Sequence, residues 1–164
     1  MRFYSKIFGS LILLAGFTSS LFAHCQVPCG IYDDYTRFTI LREHITTIEK
    51  SMNQINLLNE NPVANINQLV RWVNNKDHHA DEFTNIVTYY FLTQRIKIID
   101  MADKMEYAEY QNKTTTLHQM MVFSMKCKQT TDLANVEKLK ILVNQFEGMY
   151  FTEEEKKHLK EHRN

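Results

Sequence analysis

The stretch RFTILREHITTIEKSMNQI, residues 37–55, decides the fold class of this chain. Its large apolar residues recur at alternating steps of three and four, and the polar residues lie between them. The stripe consists of Phe38, Leu41, Ile45, Ile48, Met52 and Ile55. Because an α-helix has 3.6 residues per turn, this spacing places the stripe on one face. The stretch therefore predicts an amphipathic helix with one buried side.

Three later stretches carry similar stripes, and the middle one of these three is weaker. They are Ile66, Leu69, Val73, Ala80, Phe83, Val87 and Tyr90; Tyr107, Tyr110, Leu117, Met121 and Ser124; and Val136, Leu139, Val143, Phe146 and Tyr150. Strand-like alternation is scarce, and four Gly and two Pro leave few turn residues. Four striped segments with mostly short connections predict an all-α protein, an antiparallel four-helix bundle.

Residues with known preferences for helix ends flank these stripes. Pro62 suits a helix start after a break at residues 59–62, and Thr131–Asp132 can cap the fourth helix. Thr152 and Glu155 have the spacing of a capping box, in which each side chain bonds to the other's backbone N–H. This pair predicts a short C-terminal tail helix.

The N-terminus reads as a secretory signal. Arg2 and Lys6 precede an apolar run of about a dozen residues, which is shorter than the roughly 20 needed to span a membrane. Small residues follow, and Ala23 suits the position before a cleavage site. We therefore expect residues 1–23 to be a cleavable signal peptide and His24 to begin the mature protein. Export predicts a periplasmic or extracellular location.

Charge excludes some classes of partner. The chain has 19 basic and 19 acidic side chains. Cleavage removes two basic groups and no acidic one, so 17 against 19 leaves a net charge of −2. A strongly basic nucleic-acid binder and a polybasic membrane surface are excluded. We expect no nucleic-acid partner and, after cleavage, no membrane partner.

His24, Cys25 and Cys29 lie together where the mature chain begins. The free α-amine of His24, the amide nitrogen between His24 and Cys25, and the two thiolates give two nitrogen and two sulfur donors. A nearly flat set of this kind suits Ni(II) or Cu(II) better than tetrahedral zinc. Pro28 and Gly30 let the chain turn around the thiolates. A small disulfide loop between the two cysteines is the alternative in an oxidising compartment.

The segment HCQVPCGIY, residues 24–32, is similar to the nickel hook of nickel-containing superoxide dismutases. The matching positions are His24, Cys25, Pro28, Cys29, Gly30 and Tyr32. The resemblance implies a hook over residues 24–32, a four-helix bundle domain over residues 33–164, and a homohexamer. It also implies one nickel ion per subunit, bound by the amine and imidazole of His24, the thiolate and amide nitrogen of Cys25, and the thiolate of Cys29.

The reaction implied by the resemblance is superoxide dismutation. The Ni(III)/Ni(II) couple would take an electron from one superoxide, which leaves as oxygen. It would give that electron to a second superoxide, which takes up two protons and leaves as hydrogen peroxide. Tyr32 resembles the family tyrosine that overhangs the open face of the metal. Its implied role is to position superoxide through the hydroxyl without binding nickel.

The helices depart from the pattern of the better-known branch of that family. There, a glutamate in the first helix supports the axial imidazole and an arginine in the second helix joins it. The nearest register puts Leu41 at the glutamate position, with Glu43 two residues on. The arginine position falls near Asn75 or Lys76. A family tyrosine late in the second helix corresponds to Tyr90, with Tyr89 as the alternative.

Two other function classes remain open at this point. A non-catalytic, extracytoplasmic nickel- or copper-binding protein would use the same hook and predicts exchangeable metal without turnover. A helical binding protein with a structural Cys25–Cys29 disulfide predicts indifference to nickel.

Other potentially reactive side chains have ordinary structural interpretations. We expect Cys127 to be a buried thiol, as free cysteines usually are. Adjacent helical residues point about 100° apart, so His78 and His79 are interpreted as part of a solvated face. His44 and His118 are single histidines in helical segments and are interpreted as packing or surface residues.

Overall fold

A computed structural model describes residues 33–155, and these residues are helical with no β-strand among them. The elements are α1 (Asp34–Leu58), α2 (Pro62–Asn85), a π-helical segment (Ile86–Arg95), α3 (Lys104–Gln129) and α4 (Leu133–Tyr150). The π-helical segment continues directly from α2. The all-α prediction is confirmed. Within the described range, no helix is long and apolar enough to cross a membrane.

The four α-helices form an antiparallel bundle in which α1 packs beside α2 and α4, and α3 packs beside the same two helices. Side-chain contacts give the directions. Asp34, at the start of α1, accepts a hydrogen bond from Tyr150 at the end of α4 (2.9 Å). Further along α1, Glu49 pairs with Lys140 near the middle of α4 (2.9 Å). The two helices therefore run in opposite directions, as predicted.

The core is built largely from the predicted stripes, to which other buried residues such as Phe91 are added. In the weaker stripe of α3, only part is buried, and Tyr107, Tyr110 and Met121 are half-buried. The stripe of α1 is buried from Phe38 to Met52. Near one end of the bundle the ring of Phe38 packs against Phe91 (centroids 4.9 Å apart) and Phe146 (5.6 Å). Phe91 and Phe146 meet edge to face at 5.1 Å. Rings from three elements thus fill one apolar cluster, an arrangement that adds to the stability gained from area burial.

The predicted helix ends are confirmed. Asn61 caps α2 with Pro62 in its first turn. The side chain of Asp132 accepts a bond from the backbone N–H of Ala134 (3.0 Å) at the start of α4.

The capping box is also present. Glu155 Oε2 accepts from the backbone N–H of Thr152 (2.8 Å), and Thr152 Oγ1 accepts from that of Glu155 (3.3 Å). Helix begins after Thr152. The remainder of the predicted tail helix lies outside the described residues.

The first half of α2 differs from the prediction. Ile66 and Val73 were expected in the core, but both are exposed, together with Val63 and Val70. The reason is the length of α3, which ends at Gln129 beside Lys76 of α2. Residues 62–75 therefore extend past the end of α3.

The side chain of Lys76 caps the C-terminal end of α3. This side chain is 3% exposed, and its ammonium donates to the carbonyl oxygens of Cys127 (2.7 Å) and Lys128 (2.6 Å). A third bond reaches the carboxylate of Asp77 (2.9 Å). A cation suits this place because the last carbonyls of a helix lack intrahelical partners and carry partial negative charge.

His44 of α1 and His79 of α2 contact each other through their Nδ1 atoms, 2.8 Å apart. One ring must donate and the other accept, so at most one of the two can be protonated on both nitrogens without losing the bond. Burial lowers the pKa of both rings. The charges of neighbouring histidines lower it further, and Glu82 partly opposes this effect.

This pair predicts a loss of stability in mild acid. Because the folded-state pKa values lie below the ordinary 6.5, the unfolded chain binds more protons as the pH falls below 6.5. We expect the melting temperature to fall by a few degrees between pH 7 and pH 5, as for a bond contributing about 1 kcal/mol. His44→Gln should remove much of this pH dependence in thermal unfolding followed by circular dichroism.

His118→Gln is the matched control, since His118 lies exposed on α3. It should leave the pH dependence unchanged. If acid lowers the melting temperature of His44→Gln as much as that of the unmodified protein, the His44–His79 pair is not the cause of the pH dependence.

Candidate functional site

The predicted site residues His24, Cys25, Cys29 and Tyr32 lie outside residues 33–155, which the structure describes. Their roles therefore stay predictions. The chemistry of the donor set is consistent with nickel, because thiolate sulfur together with nitrogen donors suits a square-planar Ni(II) ion. Among the described residues, no group of three or more His, Cys, Asp or Glu side chains is arranged to hold a metal ion.

The described residues nearest to the hook in sequence are Asp33 and Asp34. Asp33 is the N-cap of α1, and its carboxylate accepts from the backbone N–H (2.9 Å) and the hydroxyl (2.7 Å) of Thr36. Asn, Asp and Ser are the usual residues here because they satisfy the unpaired N–H groups of the first turn. Asp33 thus serves the helix locally.

Asp34 makes contacts of a different kind, to distant parts of the chain. Its Oδ1 accepts from the Tyr90 hydroxyl (2.7 Å) and Arg95 Nε (2.9 Å). Its Oδ2 accepts from Arg95 Nη2 (2.5 Å) and the Tyr150 hydroxyl (2.9 Å). The carboxylate is 14% exposed. We call these four side chains the Asp34 cluster, and they join α1, the π-helical segment and α4.

The electrostatics of the cluster keep the carboxylate charged and the phenols neutral. Burial raises the pKa of Asp34, but hydrogen bonds from Arg95, Tyr90 and Tyr150 outweigh it, and the pKa lies below its ordinary value. Burial and the bond to Asp34 raise the pKa of both tyrosines. Both hydroxyls therefore remain donors at any physiological pH.

The π-helical segment brings Tyr90 and Arg95 together. Its hydrogen bonds connect residues five apart, as between the Ile96 N–H and the Phe91 carbonyl (3.0 Å), so side chains five apart lie on one face. In an α-helix the same two residues would point about 140° apart. The wider winding is what allows one carboxylate to bind both donors.

Asp34, Arg95 and Tyr150 were not predicted to belong to one cluster. A search for steps of three and four overlooks a pair at i and i+5, and Asp34 reads as an ordinary acidic residue in a first helical turn. Tyr90, identified by resemblance, does lie in the cluster.

The residues at the family's glutamate and arginine positions have other roles in this structure. Leu41 is in the core and Glu43 is exposed. Asn75 donates to Ser51 of α1 (2.9 Å). Lys76 binds the end of α3 and is not available as a counterpart of the family arginine. In this chain, these described residues do not form the glutamate–arginine pair of the better-known branch.

The remaining singled-out side chains are structural. Cys127 is a buried free thiol, as predicted, and burial raises its pKa to about 11. His118 and His78 are exposed. The expectation of a solvated face is wrong for His79, which is partly buried because its ring contacts His44 of the neighbouring helix.

Comparison with known proteins gives the family. A family model described as nickel-containing superoxide dismutase matches residues 19–155. This stretch includes residues 24–32 and all four bundle helices. No curated protein and no solved structure was found to match. The chain belongs to the nickel-containing superoxide dismutase family. Nickel is the metal of that family, so the prediction of one nickel ion per subunit is confirmed.

The burial of Cys127 predicts its reactivity. In native, reduced, nickel-free protein we expect iodoacetamide to modify Cys127 about a hundredfold more slowly than an ordinary exposed cysteine, because a pKa of about 11 leaves little thiolate at neutral pH. Peptide mapping by mass spectrometry after timed labelling measures the rate at each cysteine. Denaturant should raise the rate at Cys127 to the ordinary value. Rapid labelling of Cys127 in the native protein would contradict its placement in the core.

Proposed function

We propose that this protein is an exported superoxide dismutase whose nickel site is the segment from His24 to Cys29. The observation that carries the proposal is the family match, which begins at residue 19 and so extends across the hook as well as the bundle. The proposed organisation is a signal peptide over residues 1–23, a hook over residues 24–32 and a bundle domain over residues 33–164. The proposed location is periplasmic or extracellular.

The proposed ligands are the amine and imidazole of His24, the thiolate and amide nitrogen of Cys25, and the thiolate of Cys29. When bound there, nickel supplies the one-electron redox chemistry of the Ni(II)/Ni(III) couple. Both thiols and the amide must lose protons to bind, so metal affinity should rise with pH. Thiolate and amide donors are strongly electron-donating, and ligand choice sets the potential of a bound metal.

Tyr32 is proposed to take part in the reaction without binding nickel. Its hydroxyl can donate a hydrogen bond to superoxide and so hold the anion near the hook. Superoxide is the proposed substrate, and its two products are oxygen and hydrogen peroxide.

Proteolysis controls the site, because an amine that is still part of a peptide bond cannot act as an amine ligand. In a mature chain with one extra residue before His24, superoxide-removing activity should fall by about a hundredfold or more. Mutating a group that only hydrogen-bonds to a metal ligand already lowers metal affinity or activity 10–100-fold, and here a ligand itself is lost. Its circular dichroism should remain that of the unmodified protein. The control is one residue added after Asn164.

The alternatives give different outcomes in the same assay. An extended chain that retains full activity would contradict the proposed ligand set. Exchangeable nickel without superoxide removal, in the correctly trimmed protein, would indicate a metal carrier. A Cys25–Cys29 disulfide with indifference to nickel would indicate a binding protein of another class.

The exposed first half of α2 supports the proposal that the protein is a homo-oligomer. Val63, Ile66, Val70 and Val73 are exposed at steps of three and four, the spacing of a helix-packing seam. Across residues 62–75 the single charged side chain is Arg71. A surface with so little charge can face a second copy of itself without like-charge repulsion, and closed symmetric oligomers use such self-complementary surfaces. Six copies is the number implied by the family resemblance.

Charges placed on this seam should break the assembly. We expect the double variant Ile66→Lys, Val70→Lys to have a lower molar mass in light scattering than the unmodified protein, with its helical content unchanged. Ile141→Lys is the matched control, because Ile141 is also about half exposed but lies on α4. An unmodified protein that is monomeric, or a double variant that keeps the full oligomeric mass, would contradict the proposal.

A further inference from the structure

The Asp34 cluster includes the first residue of α1, and in sequence α1 comes just after the proposed hook. Asp34 is the first residue of α1 and follows Tyr32 by two positions. Its carboxylate accepts four hydrogen bonds from three side chains, of which two belong to the π-helical segment and one to α4. Arg95 Nε also donates to the Tyr150 hydroxyl (2.9 Å). The start of α1 is thereby attached to two other elements.

The attachment is strong because its central bonds are charge-assisted. A guanidinium binding both oxygens of one carboxylate fixes the orientation of both groups, in addition to contributing energy. With Asp34 14% exposed and Arg95 29% exposed, the pair is screened less by solvent than a surface ion pair. Removing one partner leaves the other charge without compensation in a partly buried place.

We propose that Asp34 is a positioning residue for the nickel hook. This inference rests on the proposed function. By fixing the first turn of α1 against the π-helical segment and α4, the cluster fixes the backbone position from which Tyr32 and the hook extend. Metal ligands work best when they are held by rigid supports, and an attachment at residue 34 restricts the positions that the preceding residues of the chain can take.

The adjacent residue offers a matched control. Asp33 and Asp34 have the same charge and nearly the same separation from Cys29, but Asp33 bonds to Thr36 within its own turn. Asn is itself a good N-cap residue, so Asp33→Asn keeps that local role. Asp34→Asn replaces an acceptor of Arg95 with an amide and removes the charge of the cluster.

The experiment compares Asp33→Asn and Asp34→Asn in the mature, full-length protein. Hydrogen exchange of peptides covering residues 24–32 is measured by mass spectrometry without nickel. Nickel affinity is then measured by competition with a chelator. In Asp34→Asn we expect hydrogen exchange of residues 24–32 to be about tenfold faster and the affinity for nickel to be about tenfold lower. Tenfold is the lower end of the loss in metal affinity seen when groups that orient metal ligands are mutated. Asp33→Asn should remain within about twofold of the unmodified protein.

Tyr150→Phe tests the same cluster if Asp34→Asn fails to fold. It removes one donor and should shift exchange and affinity in the same direction by a smaller factor, about threefold. Variants of Asp34 and Tyr150 that melt at lower temperature, yet have unchanged exchange of residues 24–32 and unchanged nickel affinity, would overturn the inference and leave the cluster a purely structural role.

The two proposals fail in distinguishable ways. If the unmodified protein neither binds nickel nor removes superoxide, the proposed function fails. The exchange comparison in nickel-free protein still decides whether Asp34 positions residues 24–32, because it requires no metal.

Discussion

Contact between Phe38 and the rings of Phe91 and Phe146 holds the beginning of α1 inside the bundle. One turn earlier, Asp34 binds Arg95 and Tyr150 on the same two neighbouring elements. Apolar packing is non-directional, whereas the charge-assisted bonds have a fixed geometry and so favour one orientation of the helix. The N-cap residue Asp33 bonds only within its own turn, so these two sets of contacts, and not the cap, hold the start of α1 to its neighbours. The site proposed for nickel is continuous in sequence with this end.

Periodicity predicted α1 and α4 well because each of these helices keeps one face against the core along most of its length. Phe38 to Met52 and Val136 to Phe146 are buried accordingly. The prediction for α2 was only partly right. Its stripe is equally regular over its first half, but α3 is too short to cover Ile66 and Val73. A stripe in the sequence identifies an apolar face, and the length of the neighbouring helices decides what covers it.

The proposed metal site could be recognised from the sequence alone, whereas the Asp34 cluster could not. The hook is local, so His24, Cys25 and Cys29 can be recognised from six positions in nine residues. The cluster joins Asp34 to residues 56, 61 and 116 positions away, and it depends on a π-helical winding that α-helical spacing does not reveal. Likewise, the sequence alone shows that the family's glutamate position holds Leu41 and that the nearby glutamate is Glu43, two residues on. That Asn75 and Lys76 bind Ser51 and the end of α3 was not.

The most direct test of the central claim is to express the protein with its leader, determine the first residue of the purified chain by mass spectrometry, and assay the same sample for nickel and superoxide removal. We predict a chain that begins at His24, contains one nickel per subunit and removes superoxide rapidly. A fully active protein that begins at any other residue would contradict the account, because its activity could not depend on the free amine of His24.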